Sequence, residues 1–418
     1  MEQNHIFIKL LGSPEIRMDG QAVKLPFRQA EAMVYYLAVS GSVSKDRLCD
    51  LLWGDRYPED KAKSSLRNAI CVVRNRLGRD VLMEPTRQHI ALNPDCGVQV
   101  DAAVYLRPGT ELGGSGEFLS GFHLKGSEVF DEWSAAMAQT IRDAYCTRAK
   151  TAVEEAWGRE DTEGCLQLCR ELIAANEYDE FGYRYLMLCL SRKQDYRLRV
   201  TIRESQALLA QVEDPEIWAT WMRLQGVCEV IAGDYAEAYQ RLSGAADLFL
   251  SFDNADVYAY SVGACWAWMG EALRLQGDSD AAELLYRQAI TLCENSRASG
   301  GIAVFYAFYA RCLLDRDVPR EQDEDRAEAM LARGRELCGQ FNLLWYRGVT
   351  YAYSALSACR RGEAEQAGRF LREARSAAAR LESSYEQAVA EEITQRVRQT
   401  FSTAPEQLRR FEAALRNA

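Results

Sequence analysis

The chain has 418 residues, enough for two or three domains with cores of their own. Its 48% hydrophobic and 27% charged content excludes a disordered chain, and no apolar run approaches the roughly 18 to 20 residues that span a bilayer. The net charge of −11 is unevenly spread: residues 1–100 hold 14 basic and 12 acidic side chains, the remainder 36 and 49.

The opening MEQNHIFIKLLGSPEIR has neither a basic leader nor a long apolar stretch, which predicts a cytoplasmic chain without a signal peptide or membrane partner. Ile6, Ile8 and Leu10 alternate with other residues as in a half-buried strand. Ile16 and Met18 follow, then the Asp19-Gly20 turn signal and a third short strand at Val23 and Leu25. The period then becomes helical at Ala30, Met33, Val34, Leu37 and Ala38, and Gly41 stops the helix. Ser44 is placed to cap a second helix that buries Leu48, Leu51 and Leu52. Asp60 is the expected cap of a third, whose apolar stripe is Leu66, Ile70, Val73 and Leu77. VLMEP and HIALN, flanking Pro85-Thr86-Arg87-Gln88, predict a hairpin.

Sheet, three helices and hairpin are the order of an α+β winged helix-turn-helix, whose third helix enters the major groove of double-stranded DNA. Residues 60–79 carry six basic side chains against the single acid Asp60, a local basic surface of the kind DNA binding needs. Lys63, Ser64, Arg67, Asn68 and Arg74 point away from the apolar stripe; Arg79 follows the helix and Arg87 sits at the hairpin tip. These seven are the candidate DNA-binding residues, with a merely solvated helix face as the competing reading. Cys71 reads as a packing residue rather than a redox switch.

The run SVSKDRLCDLLWGD…AKSSLRNAICVVRNRLG resembles the OmpR-type winged helix of the Streptomyces antibiotic regulatory protein family, with Val73-Arg74-Asn75-Arg76-Leu77 slightly shifted from the family pattern. Gly116, Phe118, Leu119, Gly121, Glu132, Trp133 and Arg142 are similar to the start of that family's bacterial transcriptional activator domain. The resemblance implies a transcription regulator, an activator by family habit, whose second region packs on the head and supports contact with RNA polymerase.

From Asp101 onward the chain reads as helices to its end. Trp266, Met269, Gly270, Gly277, Ala282, Tyr286 and Ala289 fall on tetratricopeptide positions, as do Gly226, Gly233, Ala238, Leu242 and Ala245 one unit earlier. Tyr351, Ala355, Gly362, Ala367, Leu371 and Ala374 form a later unit, with a looser one near Ala327 and Leu331. An all-α tetratricopeptide-like solenoid follows, with one or two degenerate units in 101–213. The expected division is 1–100, 101–213 and 214–418. The dense aromatics of residues 258–353 read mainly as core, with a partly exposed groove as the alternative. Arg223, Glu271, Arg274 and Arg360 are the groove-facing candidates for a small molecule, peptide or protein.

Thirteen scattered cysteines without CxxC, and three histidines (His5, His89, His123), supply no zinc spacing. They read as reduced, mostly buried thiols. There is no GxxxxGK[ST], GxSxG or HExxH, so no enzyme and no cofactor is expected. The competing class is an interaction scaffold whose winged helix binds protein. A homodimer is left open.

Overall fold

The computed structural model describes residues 5–416 except 55–56, 110, 194–196, 210–212, 297–299, 317 and 319. The chain divides into two compact units, the first ending at Glu177 and the second beginning at Tyr178.

In the first unit, β1 (Ile6–Lys9), β2 (Glu15–Met18) and β3 (Gln21–Ala22) form an antiparallel meander. Asp19 and Gly20 both take positive φ, 50° and 80°, as the tight turn between β2 and β3 requires. Three helices follow: α1 (Arg28–Ser40), α2 (Lys45–Trp53) and α3 (Glu59–Leu77). The Ser44 hydroxyl caps α2 by accepting from Arg47 N at 3.2 Å. Pro58, not the expected Asp60, stands at the cap of α3; Asp60 lies in the first turn, where its charge favours the helix dipole. Leu66, Ile70, Val73 and Leu77 are buried, as their spacing predicts. The hairpin is β5 (Leu82–Thr86) and β6 (His89–Leu92), and β4 (Val43–Ser44) pairs with β6 to make a three-stranded wing sheet.

Past residue 100 the chain stays with the head in the first unit. β7 (Gln99–Val100) joins the first sheet parallel to β1, and Asp101 accepts the Leu10 and Leu11 N–H groups at 2.7 and 3.0 Å. A short 3-10 helix (Asp101–Leu106) is followed by a largely irregular stretch that covers the head. Phe118 bridges to Leu11, the Ser127 hydroxyl donates to Leu51 O, and Arg28 donates to His123 O at 2.8 Å. The long α4 (Glu128–Gly158) pairs with α5 (Thr162–Ala175). Its Trp133 packs edge-on to Tyr36 at 4.6 Å, and its buried Arg148 gathers the carbonyls of Val104, Arg107 and Glu111. Residues 101–177 and the head therefore share one core.

The second unit opens with α6 (Glu180–Lys193), α7 (Arg197–Glu204) and α8 (Gln206–Leu209). Then come helical hairpins: α9 (Pro215–Ala232) with α10 (Tyr235–Leu250), and α11 (Ala259–Leu275) with α12 (Ser279–Asn295). They continue as α13 (Ala303–Leu314) with α14 (Asp323–Gln340), α15 (Arg347–Arg360) with α16 (Ala364–Leu381), and α17 (Ser384–Phe401) with α18 (Pro405–Arg416). A Cβ at Gly270 would sit 2.7 Å from the Tyr286 ring, and one at Gly226 2.6 Å from Leu242 Cγ. Glycine at these repeat positions is what lets the paired helices approach. The first helices of successive pairs touch one another from α9 to α17, forming an inner layer, and one apolar core runs through the hairpins. No helix among the described residues is long and apolar enough to cross a membrane.

Candidate nucleic-acid interface

Helix α3 buries one stripe and so presents the opposite face to solvent. Ser64, Arg67, Asn68, Cys71 and Asn75 recur there at helical spacing and are exposed. Between this face and the wing lies an open concavity of about 940 Å³, lined by Lys45, Lys63, Arg67, Arg74, Arg79 and Arg87 against the acids Asp46 and Glu84. Of the seven candidates, Lys63, Arg67, Arg74, Arg79 and Arg87 thus line one surface, with Ser64 and Asn68 on the adjoining helix face.

The basic side chains divide by their partners. Arg74 donates to Leu82 O at 3.3 Å and to Glu84 at 3.0 Å, tying the wing to α3. Lys45 donates to the same carboxylate at 2.5 Å and to Arg87 O at 3.1 Å. Hydrogen bonds from Lys45 and Arg74 hold the Glu84 carboxyl below its ordinary range. Lys63 pairs with Glu59 at 2.5 Å. Among the described residues, no acid pairs with Arg67, Arg79 or Arg87. Lys45 escaped the sequence reading because it is remote from α3 along the chain; β4 pairing beside the wing brings it there, with Lys45 N donating to Gln88 O at 2.7 Å.

The four groove candidates all lie on first helices of hairpins, but they do not form one site. Glu271 is buried and bonds Arg274 at 2.8 and 3.0 Å, and the Tyr286 hydroxyl donates to it at 2.6 Å. Arg274 continues to Asp315 at 3.2 Å; Asp315 also takes Arg311 and Arg396, and Arg311 reaches Glu392 at 2.7 Å. This ion chain ties α11, α13 and α17 together. Arg360 donates to Leu314 O, beside Asp315, rather than to a carboxylate of the chain. Arg223, on α9, is buried and takes no part in this ion chain. Phe305, Tyr306, Phe308, Tyr309 and Tyr353 are core, while Tyr346 and Tyr351 are half-buried. None of the thirteen cysteines is in a disulfide, and ten are buried. Burial pushes the thiols of Cys265, Cys293 and Cys312 up to about 12, away from reactivity.

No family model matches this chain, and no curated protein matches it in sequence. Among solved structures it is similar to pilF of Pseudomonas aeruginosa at 14% identity and TM-score 0.35, over 65% of this chain and 98% of that one. It is similar to yeast Tom70 at 15% identity and TM-score 0.36, over 67% and 63%. It is also similar to Mycobacterium tuberculosis EmbR, solved in complex with a low-affinity phosphopeptide, at 14% identity and TM-score 0.25, over 82% and 71%. At such identities and TM-scores the fold rests on the chain's own geometry.

Proposed function

We propose that the chain is a sequence-specific DNA-binding transcription regulator in which α3 reads base edges, the wing holds phosphate, and the repeat body takes the input. The observation that carries this reading is the concavity of α3 and wing, where six basic side chains face two acids and Arg67, Arg79 and Arg87 have no acid partner among the described residues. A scaffold that bound protein through its winged helix would have no need of three uncommitted guanidinium groups on one face. The residues beyond 100, with 49 acids against 36 bases, are repelled by phosphate within a Debye length, about 10 Å at 0.1 M salt, so the body adds little DNA affinity by charge. The resemblance to the Streptomyces antibiotic regulatory protein family extends the proposal to activation, to RNA polymerase contact through the activator-like region 101–213, and to the cytoplasm.

Selection from a random DNA library with the full chain tests the reading. A recurrent motif is expected, with log K falling linearly against log salt. Recovery of no motif, together with salt-independent binding, would favour the protein-binding scaffold.

A further inference from the structure

In the first unit, an open cavity of about 510 Å³ lies where the segment after residue 100 meets the head. Its floor is apolar and buried: Leu11 just past β1, Phe118, and Ile141 and Tyr145 of α4. Its rim is the glycine-rich run 114–117. The Tyr105 hydroxyl pins the rim by donating to Gly114 O at 3.0 Å, and Glu117 O accepts Gly12 N at 2.8 Å. Glycine is needed for this close approach, since a Cβ at Gly116 would stand 3.0 Å from Gly12 N.

Three charged side chains line the cavity: Arg142 of α4, Glu171 of α5 and Glu117 of the rim. None of the three joins an ion pair with a described residue, and Arg142 has no hydrogen-bond partner among them either. Neutral donors orient the two acids. Glu171 accepts the Tyr145 hydroxyl at 2.8 Å and Gln167 Nε2 at 2.7 Å, and Glu117 accepts the Ser120 hydroxyl at 2.8 Å. Such bonds fix a carboxylate in place without cancelling its charge. Arg142 and Tyr145 share one face of α4 at i,i+3, and the bond from Tyr145 draws Glu171 towards that face. Single unpaired charges are ordinary on a surface; here opposite charges, kept apart, converge on one cavity with an apolar floor.

A ligand of one sign does not suit this arrangement: an anion alone meets two carboxylates, and a cation alone meets the guanidinium. We infer that the cavity binds a free α-amino acid with an apolar side chain. Its carboxylate takes the Arg142 fork with two parallel hydrogen bonds, its ammonium donates to the remaining lone pairs of Glu171, and its side chain covers the floor. The volume falls within that of small-molecule sites, about 300–1,000 Å³. The inference goes beyond the proposed function by giving the head an input of its own. Binding is read without DNA, so the failure of one reading leaves the other standing.

The test is calorimetric titration of the full chain with L-leucine and L-phenylalanine, each beside its N-acetyl derivative and its amide. The N-acetyl form lacks the ammonium; the amide lacks the carboxylate. Saturable binding of at least one amino acid is expected, with both of its derivatives weaker by about tenfold or more. Arg142→Ala should weaken the amino acid to the level of its amide, and Glu171→Gln should weaken it to the level of its N-acetyl form. A general loss of folding would not divide the two preferences between the two variants. Without ligand, Arg142→Ala should melt at the wild-type Tm, because the exposed side chain has no partner to lose. No saturable binding of either amino acid, derivatives that bind as well as their parent, or unchanged discrimination in either variant would each overturn the assignment.

Discussion

At the scale of single residues, commitment decides what a basic side chain is free to do. Arg67 is exposed in mid-helix without an acid partner among the described residues, so Arg67→Ala should cost about 1–3 kcal/mol of specific DNA binding and relax one base position. Arg79 lies past the end of α3, and Arg79→Ala should lower the salt slope by about 1 with sequence preference intact. Anisotropy titrations at several salt concentrations check both; identical preferences and slopes would remove the distinction. Arg74 is spent on Leu82 O and Glu84. Arg74→Ala should therefore weaken all DNA sequences alike and speed amide exchange in residues 82–92 without DNA present. Protection in the wing unchanged by that substitution would rule out the positioning role.

At the scale of elements, close approach and buried ion pairs hold the repeats together. Gly270→Ala places a methyl against the Tyr286 ring and should cost about 1–3 kcal/mol. Gly339→Ala, on α14 with open space around it, should be neutral or stabilising by up to about 1 kcal/mol. Denaturant midpoints of the two variants check the contrast. Glu283 joins α12 to α14: burial alone would raise its pKa, but hydrogen bonds from Arg326, Tyr309 and Arg316 outweigh it and hold the carboxyl at about 2. A depressed carboxyl stabilises the fold fully above its unfolded value near 4.5 and loses that contribution as pH falls towards 2. Glu283→Gln should therefore lower stability by about 3 kcal/mol at neutral pH and flatten the acid limb of a Tm-against-pH curve. An acid limb of unchanged slope would contradict this.

At the scale of the whole molecule, the division after Glu177 sets what can be cut. Asp101, Phe118, Ser127 and Trp133 complete the core of the head, so a fragment ending at residue 100 leaves the Leu10 and Leu11 N–H groups, just past β1, without their acceptor and exposes the Tyr36 ring. A 1–177 fragment should melt cooperatively and keep the DNA sequence preference of the full chain, whereas 1–100 should aggregate or melt without a transition. Circular dichroism melts and DNA titration of both fragments check this; a stable, DNA-binding 1–100 fragment would show the covering segment to be dispensable.

The sequence by itself determined the elements of the head and the repeat hairpins, because their information is local. Period-2 and period-3.6 patterns set Ile6–Leu10 and Leu66–Leu77, Asp19-Gly20 made its turn through positive φ, and Gly233 and Gly277 ended their helices in the left-handed region. The pair α17 and α18 went unassigned because no glycine turn separates it, only Ser402 to Pro405. Composition and local spacing also found the basic face of α3, but not which of its charges are already spent. That was decided by tertiary structure, since Glu84, Lys45 and Arg74 meet only when β4 pairs with the wing. The glycine-rich stretch 109–121 reads as a surface loop from sequence, but that residues 107–127 cover the head was not legible, because the backbone is held by distant partners, such as Leu119 N on Leu10 O. The difference between Glu271, saturated with partners, and Arg223, buried without one, follows from long-range packing and the dielectric it creates.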